Sequence, residues 1–142
     1  MAWQLRPFTL DDYPAVLALW QAAGPGLEVR PSDALPEVVK KLARDPDLFL
    51  VAEAEGAVVG VIMGAWDGRR GWLHHLAVAE DHRGQGVASA LVREVEQRLQ
   101  TKGCLKVNLL VQASNLAARR LYQRLGYVEM PTLMAMGKEL LP

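Results

Sequence analysis

One cysteine, no surplus of charge of either sign and no long apolar run are the first features of this 142-residue chain. Cys104 alone cannot form an intrachain disulfide, which points to a reducing compartment. Lys and Arg together number 16, balanced by 16 Asp and Glu. Without a basic excess, nucleic acid is not expected as the main partner, and any anion site must be local. Charged, Gly and Pro residues cut every hydrophobic stretch short of the roughly 18 residues of a membrane span, so no membrane partner is expected. The opening Met1-Ala2-Trp3-Gln4-Leu5-Arg6 lacks the apolar core of a secretion signal, and we expect a cytoplasmic protein. No His/Cys/Asp spacing suggests a metal. No repeat, biased tract or linker divides the chain, and its length matches the roughly 150 residues of one domain, so we expect a single domain over 1–142.

What is present is a mixed pattern. Trp3 to Phe8 reads as a short strand. The helix after it has Tyr13, Val16, Leu17 and Trp20 at helical spacing, with Thr9 and Asp12 as its cap and Gly24 as its stop. A second helix is expected from Ser32, with Leu35, Val38, Val39 and Leu42 at i, i+3, i+4 and i+7. Three strands follow, Leu48 to Glu53, Ala57 to Trp66 and Trp72 to Val78, separated by turns at Glu55-Gly56 and Asp67-Gly68; short connections make them antiparallel. Val87, Leu91, Val95 and Leu99 then line a helix ending near Gly103. Lys106 to Val111 returns as a strand parallel to Trp72–Val78. A helix from Asn115 to Leu125 and two weaker strands, Tyr127 to Met130 and Leu133 to Lys138, complete the chain. The fold class is α/β around a mixed sheet.

The most informative stretch is Asp81-His82-Arg83-Gly84-Gln85-Gly86-Val87-Ala88, which joins the carboxyl end of a strand to the amino end of a helix. Such a junction collects unpaired N–H groups and the positive end of the helix dipole, and glycines there let a phosphate approach the backbone. A loop at this end of a strand is where open α/β sheets bind ligands. Gly84 to Val87 supply neither the lysine nor the hydroxyl of a P-loop. The third glycine of a dinucleotide fingerprint is Ser89 here, and no acidic residue closes the next strand.

Arg83-x-x-Gly86-x-Ala88, preceded by Leu76-Ala77-Val78, resembles the pyrophosphate motif of the GNAT superfamily of acyl-CoA-dependent N-acyltransferases. Asn115-x-x-Ala118-x-x-Leu121-Tyr122-x-x-Leu125-Gly126-Tyr127 is similar to that family's later helix, one helix and one strand downstream. The likeness covers nearly the whole chain and is nearest to the ribosomal-protein alanine N-acetyltransferase branch and its uncharacterised bacterial relatives. It implies a GNAT-like fold with antiparallel N-terminal strands, a central splayed parallel pair and flanking helices. It also implies acetyl-CoA as cofactor and an amine substrate, small molecule or protein.

By that resemblance, backbone N–H groups of Arg83, Gly84, Gln85, Gly86, Val87 and Ala88 hold the pyrophosphate, and the edge of Leu76, Ala77 and Val78 pairs with the pantetheine amides. Asn115 is an N-cap, a pantetheine contact, or both. Tyr122 stands as the general acid beside the thioester sulfur; the apolar helix stripe accounts for its ring and leaves its hydroxyl unexplained. In the alanine-acetyltransferase branch a glutamate lies five residues before the motif asparagine, and here that position is Leu110, which cannot take a proton. His74 is the replacement base expected first, since alternation groups it with Leu76 and Val78 and turns His75 the other way. Glu80, Asn108 and ordered water stay open. Cys104 has no His partner in the sequence, so direct transfer is expected over an acyl-enzyme. Arg69-Arg70 and Arg119-Arg120 fit either a solvated face or a contact to the 3′-phosphate of CoA. The alternative is a non-catalytic CoA-binding regulatory or interaction module. The acceptor, to be shaped by the early helices and the loop Pro25 to Ser32, the acyl length and the choice between monomer and homodimer are not legible.

Overall fold

The computed structural model describes residues 2–141. In order they form β1 (Gln4–Pro7), α1 (Tyr13–Ala22), α2 (Leu35–Arg44), β2 (Phe49–Ala54), β3 (Ala57–Trp66), β4 (Gly71–Val78), α3 (Val87–Thr101), β5 (Val107–Leu109) and α4 (Leu116–Arg124). The strands make one sheet in the order β1-β2-β3-β4-β5. The first four run antiparallel, and β5 lies parallel to β4.

Local chemistry explains most boundaries. Before α1, Asp12 accepts the Thr9 N–H at 2.8 Å and a forked pair of bonds from Arg6 at 2.7 and 2.8 Å, which ties the helix entry to β1. Asp67 accepts the N–H groups of Arg69 and Arg70 and so closes the β3–β4 turn. Two apolar layers sandwich the sheet. On one face Leu91, Val92, Val95 and Leu99 of α3 pack on Leu50, Ile62 and Leu73. The helix lies so close that a Cβ on Gly64 would stand 2.7 Å from Val95 Cγ1. On the other face Val16 and Trp20 of α1 and Val38 of α2 cover Phe49, Val51, Val61 and Ala77.

Three expectations are corrected. The second helix starts at Leu35 rather than Ser32, after a 3₁₀ turn over Pro31–Asp33, and of its expected stripe Leu35 and Val39 are exposed. Pro36 suits that first turn, and Asp33 is drawn inward by polar partners described below. The strand expected over Lys106–Val111 is regular only at Val107–Leu109, and Leu110 is exposed. The two C-terminal strands are not formed; after α4 the described chain has no regular structure and Val128, Met134 and Met136 are exposed. A three-residue β5 offers a neighbour few ladder bonds, and Pro131 removes one donor from the segment that would use them.

The shortness of β5 has a second effect. Its pairing with β4 covers only Gly71–Leu73 against Val107–Leu109, so beyond Leu73 the β4 edge has no β5 partner. The parallel pair splays there, as the resemblance implies.

Candidate active site

The carboxyl end of β4 leads through a 3₁₀ turn, Glu80–His82, into the glycine loop and α3. Gly84 and Gly86 hold φ of +76° and +83°, a left-handed backbone that residues with a Cβ rarely adopt, and Gly86 is the N-cap of α3. A Cβ built on either glycine meets nothing within 4 Å, so open space lies in front of the backbone. The N–H of Arg83 is already donated to the Glu80 carbonyl at 3.3 Å, and its guanidinium donates to the Val78 carbonyl at 3.2 Å. The N–H groups of Gly84, Gln85, Gly86, Val87 and Ala88 have no acceptor among the described residues. Gly84 to Gly86 are exposed, whereas the Val87 side chain is buried and anchors the helix end in the core. The result is a row of donors at the positive end of a 15-residue helix.

On β4 the alternation expected for the two histidines is broken. Between Val61 and Met63, β3 advances two residues while β4 advances three, from Ala77 to His74. The additional residue is a bulge, and His75 takes it up with φ +52°, at a cost of about 1 kcal/mol. Leu76 and Val78 therefore face α3, while Ala77 faces α1 and α2. His75 is on the α1 side too, edge-on to Trp20 at 5.1 Å and 67°. His74, opposite Met63, shares that side, so the two imidazoles lie on the same face and not on opposite ones. His74 is exposed as a residue, yet partial desolvation lowers its pKa, with the charges of Lys41 and His75 acting in the same direction against Asp33. Its ring is neutral at pH 7. His75 Nε2 lies 2.9 Å from Oδ2 of buried Asp33.

Asn115 is the N-cap of α4: its Oδ1 accepts the Ala118 N–H at 3.2 Å. Its amide group also abuts Gly26, where a Cβ would collide with it. The loop between α1 and α2 is thus seated on α4 at Gly26 and on β4 at Asp33. Tyr122 is half-buried against the α3 core and edge-on to Tyr127 at 5.5 Å, and burial pushes its phenol up to about 12. Its hydroxyl has no hydrogen-bond partner among the described residues, unlike that of Tyr127, which donates to Glu96 at 2.7 Å. Of the arginine pairs, Arg119 is committed to Glu129 and the Ala113 carbonyl, and Arg69 and Arg70 flank the Asp67 turn. Leu110 is exposed beyond the end of β5 and Cys104 is buried with its thiol on the Lys106 carbonyl, so neither offers a base or a nucleophile. Sequence reasoning missed Asp33, Gly26 and His75; a strand bulge has no periodic signature, and Asp33 belongs to no motif.

Residues 11–127 match the acetyltransferase (GNAT) family, and the chain belongs to it. The relatives in that family include an acetyltransferase of Sodalis glossinidius, SG1711, 41% identical over 139 residues (97% of this chain, 96% of that one). Another is the acetyltransferase ECA0875 of Pectobacterium atrosepticum, at 40% over the same lengths. Among solved structures, Ard1 from Thermoplasma volcanium superposes with a TM-score of 0.80 at 26% identity, covering 90% of this chain and 84% of that one. The PaiA N-acetyltransferase of Thermoplasma acidophilum, solved with coenzyme A, shares the fold at a TM-score of 0.78 and 18% identity, covering 87% and 88%. The chain is an acetyl-transferring enzyme on a GNAT fold. The relatives' names specify no acceptor.

Proposed function

We propose that this enzyme transfers an acetyl group from acetyl-CoA to a primary amine by direct attack in a ternary complex. The observation that carries this reading is the row of free N–H donors from Gly84 to Ala88, facing open space next to a β4 edge that β5 leaves unpaired. Coenzyme A bound there supplies a thioester, an acyl group activated for attack by nitrogen. The fit is physical: a diphosphate needs several N–H donors and no Cβ in front of them, and both conditions hold at Gly84 and Gly86. Leu76, Ala77 and Val78 present the strand edge to the pantetheine amides, and Asn115 fixes the start of the helix that carries Tyr122.

Tyr122 serves as the acid for the leaving sulfur. An ordinary thiol has a pKa of about 8.5, so a complete transfer from a phenol near 12 to a free thiolate is uphill. The proton therefore moves in concert with C–S cleavage, so that neither a free thiolate nor a phenolate accumulates. The ammonium proton of the acceptor goes to an imidazole on the α1 face, where His74 and His75 both stand. A protein N-terminus, a lysine and a small-molecule amine present the same attacking group. The buried thiol of Cys104 suits a reducing cytoplasm.

Time-resolved release of free thiol from acetyl-CoA over a panel of amines, alongside calorimetry with acetyl-CoA, tests the proposal. Both signals are expected from the wild type, and Gly86→Glu should abolish both, since a carboxylate would fill the space meant for diphosphate and repel it. Heat without thiol would leave only a cofactor-binding module. Neither heat nor thiol would overturn the reading.

A further inference from the structure

We propose that Asp33 and His75 form the proton-accepting dyad for the incoming amine, a role that rests on the acetyl-transfer reading above. His75 occupies a strained position that its surroundings enforce. Its carbonyl accepts the Trp20 indole N–H at 3.3 Å, its ring rests edge-on against that indole, and its Nε2 meets Asp33 Oδ2 at 2.9 Å. Asp33 is fixed in turn: its Oδ2 accepts the Arg30 N–H at 2.9 Å, and its carbonyl accepts the Tyr13 hydroxyl at 2.9 Å. Non-glycine residues held in left-handed backbone by several independent contacts concentrate at sites of function.

The pairing also fixes the tautomer. A carboxylate only accepts, so Nε2 carries the hydrogen and the lone pair is left on Nδ1. The Asp33 side chain is 8% exposed and that of His75 25%, so the carboxylate is shielded while the imidazole can be reached. Other titratable and charged groups near the pair include Tyr13 of α1, His74 on β4, Lys41 of α2, which is held by Asp45 at 2.6 Å, and Arg30 of the loop, which pairs with Glu28 at 2.7 Å. No carboxylate among the described residues hydrogen-bonds His74. Among these groups only His75 combines a fixed tautomer with access.

Its position matches the chemistry. His75 is two residues beyond Leu73, the last β4 residue paired to β5, and so stands where the sheet opens. The loop from Gly26 to Asp33 is seated on α4 at Asn115 and on β4 at His75, and so spans from one to the other. An amine that reaches the opening past this loop meets the imidazole. Its ammonium gives one proton to Nδ1, and the freed lone pair attacks the acyl carbon. The C–N bond forms as the C–S bond breaks; the Tyr122 hydroxyl proton passes to sulfur, and the second nitrogen proton restores the phenol. The imidazolium then releases its proton to solvent. Each turnover yields one amide, one thiol and one proton.

The test is steady-state kinetics between pH 5 and 9 on His75→Asn, Asp33→Asn and His74→Gln, using an amine for which the wild type releases thiol. Acetyl-CoA calorimetry and thermal melts accompany it. Asparagine is chosen at 75 because it tolerates left-handed backbone better than most residues. His75→Asn is expected to lower kcat about 100-fold, keep acetyl-CoA affinity within about threefold and remove the acidic limb of kcat/KM. Asp33→Asn should lower kcat about tenfold with the acetyl-CoA KM unchanged, and His74→Gln should keep the limb. The dyad is overturned if His75→Asn retains the limb and kcat within about threefold, or if the limb is lost with His74→Gln instead. If His75→Asn does not fold, an unaltered kcat in Asp33→Asn overturns it. A wild type that releases no thiol sinks the acetyl-transfer reading and the dyad together, whereas an active wild type with an unmoved limb sinks the dyad alone.

Discussion

Tyr122 on α4 and Tyr127 just beyond its end are in edge-on contact, yet they are held for different ends. The Tyr127 hydroxyl is spent on Glu96 and ties α4 to α3. That of Tyr122 has no partner among the described residues, although burial holds its phenol at about 12. A half-buried phenol whose hydroxyl has no protein acceptor suits one kept for a bound molecule. Tyr122→Phe should therefore lower kcat by roughly 10²- to 10⁴-fold, the range for a lost general acid, and leave the acetyl-CoA Kd within about threefold in calorimetry. Equal losses in kcat and affinity would move Tyr122 from proton transfer to simple contact. The motif made this residue legible in the sequence. His75 was not, because its orientation depends on one additional residue in β4 relative to β3, which neither strand shows by itself.

Among the elements, α3 and the glycine loop were read from the chain with small error, since a helical stripe and a positive-φ cap are local properties. The Thr9–Asp12 cap before α1 was legible, although it closes a 3₁₀ turn over Leu10–Asp12, whereas the turn before α2 was not; each is shaped by a carboxylate that reaches backwards, Asp12 to Thr9 and Asp33 to Arg30. The first of these turns carries a pH signature. Hydrogen bonds from Arg6 hold the Asp12 pKa below 3.8, so its contribution to stability is complete above the unfolded value and is lost as pH falls through 3.8 toward the folded value. Thermal melts should show the wild type losing stability between about pH 5 and 3. Asp12→Asn should melt lower at pH 7 and lose less over the same interval. Identical slopes for the two would remove the Arg6–Asp12 pair from the acid response.

At the scale of the molecule, one sheet with an apolar layer on each face places the two halves of the site. The α3 layer sets the glycine loop and its free N–H groups at one end of β4, and the α1–α2 layer holds the proposed dyad where β4 parts from β5. Leu91 is fully buried in the first layer. Leu91→Ala should cost about 2 to 5 kcal/mol, read as a lower urea midpoint with an unchanged slope. A loss below about 1 kcal/mol would mean that the layer closes over the gap. The balanced total charge is consistent with an anion site built from backbone donors alone, which add no formal charge.

The chain by itself determined the order of elements from β1 to α4, the glycine loop ahead of α3 and the family motifs at Arg83–Ala88 and Asn115–Tyr127, because caps, turns and periodicity act over a few residues. Only the tertiary structure decided how far β5 pairs, that the C-terminal segments stay irregular, and that Asp33 meets His75 across 42 residues of sequence. Strand length and register depend on what the neighbouring strand offers. A dyad spanning a loop and a bulge exists only once both apolar layers have closed on the sheet.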